Sequence, residues 1–184
     1  MKKITISVLM LAIVATLLFL PACQSMSTEE LKKSLEVVDV ETKWVSKEYR
    51  AWPPKLVIVP VISFRVKNIS DKPLNYINFN AIFRFQGESK DLGSSFLAAI
   101  RKEPIMPGQT SQVITLKSNY GVEGKTIQSF ENNPYWKTVV VKLFARSKGS
   151  DYVLLGEYEV SKVIDFKPDE AVTPVTEPSE QTKK

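Results

Sequence analysis

Apolar and polar residues alternate with period two through most of this chain. Ile77, Phe79, Ala81, Phe83 and Phe85 fall on one side of a run whose other side carries Asn78, Asn80 and Arg84. Successive side chains of a strand point to opposite faces, so this run predicts a strand with one face in a core and one in water. Val139, Val141, Leu143 and Ala145 repeat the pattern. A longer run places Leu56, Ile58, Pro60, Ile62, Phe64 and Val66 on one face and Val57, Val59, Val61, Ser63, Arg65 and Lys67 on the other. Its first half reads as buried on both sides and its second half as turned to solvent. Pro60 has no N–H to give a ladder, which predicts a bulge or an edge there. Leu35 to Trp44 also alternates, with Val38, Val40 and Thr42 opposite Val37, Asp39 and Glu41. Val113–Leu116 and Tyr152–Ile164 supply further strands.

Turn chemistry separates these runs. Asn68-Ile69-Ser70-Asp71-Lys72-Pro73-Leu74 gathers residues that bond local backbone or pre-set φ, and predicts a hairpin between its flanking strands. Pro107-Gly108-Gln109-Thr110 and Gly149-Ser150-Asp151 are two more turns. Six to eight strands at this spacing predict an all-β fold, an antiparallel two-sheet sandwich over residues 35–166. About 130 residues suffice for one domain with its own core. Residues 23–34 read as a polar tether, although Ser27 and Glu30 stand at capping-box spacing and could open a short helix. Residues 167–184, with Pro168, Pro174 and Pro178 among polar neighbours, have little to bury and are expected to be a disordered tail.

The run Phe64-Arg65-Val66-Lys67-Asn68-Ile69-Ser70-Asp71-Lys72-Pro73-Leu74, followed by Ile77, Phe79 and Phe83 and later by Met106-Pro107-Gly108-Gln109-Thr110, resembles bacterial immunoglobulin-like or fibronectin-III-like lipoprotein domains. The resemblance spans roughly Leu35 to Ile164 and implies an immunoglobulin-like sandwich. Its motifs specify turns and no chemistry. With no cysteine pair to pin the sheets, strand order stays open.

The first two dozen residues have a different pattern. Lys2 and Lys3 precede an uncharged run from Ile4 to Ala22, and Cys23, the single cysteine, follows at once. A run of this length could span a bilayer as an uncleaved helix. The positive start, apolar centre and small residue before the break fit a cleaved signal better. Leu20-Pro21-Ala22-Cys23 resembles the lipoprotein box, with Pro21 departing from it at the second place. The resemblance implies a signal peptide over 1–22, and a diacylglycerol and an N-acyl chain carried by Cys23. Several acyl chains hold a bilayer far more firmly than one. Gln24 in place of aspartate implies the periplasmic face of the outer membrane in a Gram-negative envelope. Thioether linkage removes the thiol from catalysis, disulfides and metal binding.

Charge adds little. The net +5 falls by two when Lys2 and Lys3 leave with the signal, and Lys and Glu are interspersed, which argues against nucleic acid as a partner. The chain contains no histidine, so a Ser-His-Asp triad and the usual zinc sites are unavailable. Glu157 with Glu159, and Asp39 with Glu41, stand two apart on strands and read as solvated faces before they read as paired catalytic carboxylates. Gly121-Val122-Glu123-Gly124-Lys125-Thr126 lacks the glycine spacing of a phosphate loop and is expected to be a turn. No enzyme activity, cofactor or metal is expected.

Aromatic residues are the candidates for binding. Arg50, Trp52, Pro53 and Pro54 form a segment in which paired prolines would present an extended, pre-ordered edge. Trp44 and Trp136 either face a partner or plug the ends of the core. Phe96-Leu97-Ala98-Ala99-Ile100 is a buried strand or an exposed ridge. The expected function is a membrane-anchored, non-catalytic module that binds another envelope protein. The alternative is a periplasmic carrier of lipid or a small apolar ligand, suggested by the Phe, Ile and Val surplus of Leu56–Phe85.

Overall fold

Two sheets face each other in the computed structural model, which describes residues 26–131, 133 and 136–166. Cys23, the expected signal peptide over 1–22 and the expected tail over 167–184 lie outside the described residues. The strands are β1 (Leu35–Arg50), β2 (Lys55–Asn68), β3 (Ile77–Phe85), β4 (Asp91–Ile100), β5 (Ile114–Lys117), β6 (Val122–Gly124), β7 (Val139–Arg146), β8 (Val153–Glu159) and β9 (Ile164–Asp165). Helices α1 (Thr28–Ser34) and α2 (Gln128–Glu131) are short. One sheet has the order β5-β2-β1-β9, with β6 also on β2, and the other the order β4-β3-β7-β8. This is an immunoglobulin-like sandwich in which β1, β2 and β5 take the places of strands A, B and E, and β3, β7 and β8 those of C, F and G. All pairings are antiparallel except β1 with β9, a parallel pairing at Trp44↔Ile164 and Val45↔Asp165.

The alternating runs meet between the sheets. Phe64 of β2 and Phe79 of β3 pack edge to face with centroids 5.3 Å apart. Ile58, Ile62, Phe64 and Val66 face Phe79, Ala81, Phe83, Val141, Leu143 and Ala145, all buried. Val59 and Val61 on the outer face of β2 are buried too, as the doubly apolar half of that run predicts.

Pro60 marks neither a bulge nor an open edge. It pairs with Trp44 on one side, and its carbonyl accepts from the Ser118 N–H (3.0 Å) on the other. The missing N–H points the same way as that carbonyl, into the break between β5 and β6, where no ladder partner is required. Gly121 lies in the same break, and a Cβ there would overlap the Ile58 carbonyl oxygen.

The Asn68–Leu74 segment does not make a hairpin. It carries the chain from one sheet to the other, and Asn68 organises the crossing. Its fully buried side chain donates to the carbonyls of Lys72 and Ile105 (2.8 Å each) and accepts from the Ser70 N–H (2.9 Å) and Oγ (2.7 Å). Its backbone closes onto the Pro107–Thr110 turn through the Gly108 and Gln109 main chain. Two turns 40 residues apart thus share one buried amide.

β1 departs from simple alternation. A bulge between Val38 and Glu41, with Asp39 at φ 52°, resets the pairing with β2. Leu35, Val37 and Trp44 therefore reach the core, while Val40 is exposed. Upstream, the expected tether is structured from Ser27 onward. Ser27 caps α1 by accepting from the Glu30 N–H (3.1 Å), Leu31 is fully buried, and the Ser34 carbonyl accepts from the Ile69 N–H (2.9 Å). An amphipathic turn of helix with a buried leucine outweighs the linker composition. The 121–126 segment holds β6 followed by bends into α2, and Phe130 of α2 is buried.

Candidate functional site

β1 and β2 form the longest hairpin, and its tip is the turn Ala51–Pro54, which includes a cis Trp52–Pro53 peptide. Trp52 is 86% exposed, the barest of the large apolar side chains among the described residues. Pro53 and Pro54 are exposed beside it. The segment is a tight turn rather than the extended edge expected from paired prolines. Arg50 is tied to it: its Nε donates to the Pro53 carbonyl (3.2 Å).

The hairpin base is fixed by charge. Lys55 Nζ donates to Glu48 Oε2 (3.0 Å) and lies 3.7 Å from Glu123 of β6. The Glu48 hydrogen bond holds the Lys55 ammonium above its ordinary pKa of 10.5. Glu48 and Lys55 lie on opposite sides of the turn, a signal the sequence carries and that periodicity alone does not expose. Glu123 enters only because β6 pairs with β2.

The other two tryptophans are core. Trp44 is 1% exposed, and its ring centroid is 5.4 Å from that of Trp136, which lies 6.0 Å from Phe130. A partner cannot reach these rings, which corrects their assignment as binding residues. The buried Trp136 Nε1 has no acceptor among the described residues. Lys162 spans the backbone here, donating to the Trp136 carbonyl (3.0 Å).

Phe96 and Leu97 form an exposed ridge on the edge strand β4, while Ile100 turns inward. The outer rim of β4 is covered at one point, where Ser94 exchanges hydrogen bonds with Asn119. The carboxylate pairs read as solvated strand faces: Glu157 is bridged to Lys142 (2.9 Å), and Asp39 lies 3.8 Å from Arg65. Among the described residues no group of three or more His, Cys, Asp or Glu side chains could hold a metal ion.

No family model matches the chain, and no curated protein matches it. Among solved structures, a Bordetella pertussis protein described as ApaA overlaps 70% of this chain and 93% of its own, at 15% identity and a TM-score of 0.39. A structural-genomics target protein overlaps 72% of this chain and 89% of its own, at 12% identity and a TM-score of 0.42. A β-glucuronidase of glycoside hydrolase family 2 overlaps 65% of this chain and 10% of its own, at 11% identity and a TM-score of 0.40. Overlaps at this level transfer no function to the chain.

Proposed function

We propose that this chain is a lipid-anchored envelope protein that binds another envelope protein through the β1–β2 turn, without catalysis. The observation that carries the reading is the bare Trp52 ring at the tip of a hairpin whose base is braced by Lys55, Glu48 and Glu123. Holding a large aromatic ring in water on a braced support lowers the ordering cost of binding, and such rings carry most of the energy of protein interfaces. The anchor rests on Leu20-Pro21-Ala22-Cys23, with the signal peptide over 1–22 and acyl chains on Cys23. The turn also sits remote from the start of the body. β1 runs 16 residues from beside α1 to the tip, roughly 50 Å at strand rise, so the tip faces away from the anchor.

The carrier alternative has no observation in its favour. The layer between the sheets, where a carried lipid would sit, is occupied by Trp44, Phe64, Phe79, Phe83 and Leu143.

Two experiments test the proposal. Cys23→Ser should leave the protein as unprocessed precursor or release it from membranes; unchanged fractionation would overturn the anchor. A photo-reactive residue at Pro54, used in intact cells, should give a discrete adduct with a second protein that disappears on Trp52→Ala. Recovery of the monomer alone would overturn the binding role.

A further inference from the structure

The pole opposite Trp52 has the inverse character. Arg101 and Lys102 follow the end of β4, Arg146 ends β7, and Lys148 stands in the β7–β8 turn. All four line one open groove of about 570 Å³, together with Tyr76 and Ser147. Elsewhere seven cations lie against carboxylates, Lys43, Lys55 and Arg84 among them, and others, such as Lys47, Arg50 and Lys90, have none within ion-pair distance among the described residues but do not share a groove with three more. None of the four groove cations has a carboxylate within ion-pair distance among the described residues. Two of them have aromatic neighbours: the Arg146 guanidinium lies 4.8 Å from the Tyr152 ring centroid, and Lys148 Nζ lies 5.8 Å from that of Tyr76. Both tyrosines are partly exposed, and Tyr76 is held outward with φ 51°, a left-handed conformation that bulky residues rarely adopt. Glu103 and Asp151 follow the lining segments in sequence. Glu29, Glu30 and Asp71 line a different concavity, where Lys72 bridges Glu30.

The chain enters the body at this pole. Ser147 Oγ, inside the groove, donates to the Met26 carbonyl (3.1 Å). Met26 lies three peptide steps from Cys23, so their maximum reach is about 11 Å, little more than the Debye length of about 8 Å at physiological salt. A lipidated Cys23 would thus hold four uncompensated cations within electrostatic range of its own leaflet. Tyrosine rings among those cations suit the headgroup layer, where amphipathic aromatics collect.

We propose that this groove docks on the anionic phospholipid headgroups of the leaflet that carries the anchor, so that the sandwich stands on the membrane with Trp52 pointing away. The inference rests on the anchor in the proposed function. Each cation near an anionic surface is expected to contribute about fivefold to the contact equilibrium.

The test uses the full chain purified from membranes and reconstituted into vesicles, either phosphatidylcholine alone or phosphatidylcholine with phosphatidylglycerol. Amide hydrogen exchange over residues 99–103 and 145–151 should slow only in the anionic vesicles. Raised sodium chloride should erase the effect, and Arg146→Gln with Lys148→Gln should weaken it by about 25-fold, two factors of five. Acylated protein that exchanges equally on both vesicles would overturn the headgroup contact and leave the anchor standing. Protection by inorganic phosphate over phosphatidylcholine alone would also overturn it, in favour of a soluble anion. An intact mass without acyl groups would overturn the contact and the anchor together.

Discussion

The two ends of the sandwich treat charge and aromatic surface in opposite ways. At the hairpin pole Lys55, Arg84 and Lys137 pair with Glu48, Asp91 and Glu88, Arg50 bonds the Pro53 carbonyl, and the Trp52 ring stands bare. At the entry pole Lys72 bridges Glu30, but Arg101, Lys102, Arg146 and Lys148 have no carboxylate within ion-pair distance among the described residues, and tyrosine rings lie beside the last two. Paired surface charges project little field beyond their neighbours, whereas a same-sign cluster projects a potential that an anionic surface can meet. The lesson is that a mild net charge can hide a local cluster of like charges. What each pole can bind follows from which of its groups are left without partners.

The largest expected effect separates the tryptophans. Trp44→Ala removes a buried ring that packs on Trp136 and should cost about 3–5 kcal/mol. Trp52→Ala should change stability by less than about 0.5 kcal/mol, because nothing in the body rests on it. Urea unfolding of both variants with unchanged slope checks the pair. A stability loss at Trp52 comparable to that at Trp44 would break the distinction between a core ring and a presented one.

Asn68→Ala should cost about 1–3 kcal/mol, since it removes the buried side-chain hydrogen bonds to Lys72, Ile105 and Ser70 and frees the turn that carries β2 into β3. Gly121→Ala should cost a similar amount, about 1–3 kcal/mol of overpacking against the Ile58 carbonyl. Neither side chain lines the cationic groove or the Ala51–Pro54 turn, so their unfolding midpoints should fall without loss of the exchange protection on anionic vesicles below the new midpoint.

Neutralising Arg146 and Lys148 should leave the unfolding midpoint within about 0.5 kcal/mol of the parent, sharpening the contrast with Asn68. The smallest effect is alkaline. Lys55 binds its proton more tightly folded than unfolded, so its contribution is complete below pH 10.5 and is lost as pH rises through the raised folded value. Burial raises the Tyr158 hydroxyl above 10.0, and stability falls above that pH because the unfolded chain ionises first. Thermal unfolding midpoints should therefore decline on the alkaline side, and Glu48→Gln should flatten the Lys55 part of that decline.

Much of the sandwich was legible in the sequence. The inward faces of β2, β3 and β7 follow directly from period two, because a sheet with one buried face admits only one register of apolar residues. Pro60 flagged a real interruption, but its nature depended on two partner strands that meet beside it. The Asn68 segment carried clear turn chemistry, yet whether a turn returns to its own sheet or crosses to the other is not written in its residues. The alternation drawn through Leu35–Trp44 breaks between Val38 and Glu41, because a bulge requires no residue type that alternation can detect. For the tryptophans, residue identity left a choice between core and surface at Trp44 and Trp136, and packing closed it.

Alone, the sequence determined the all-strand character of the body, its inward faces and several of its chain breaks, those at Asn68–Leu74, Pro107–Thr110 and Gly149–Asp151 among them. Those features depend on side-chain alternation and local backbone preferences, which act over a few residues. The strand order, the docking of α1 and the two poles were decided only in three dimensions. Arg101, Lys102, Arg146 and Lys148 come from two segments separated by more than 40 residues and look like ordinary scattered cations along the chain. They form one groove because β4 and β7 both flank β3 antiparallel and so end at the same edge of the sheet, a relation set by long-range pairing.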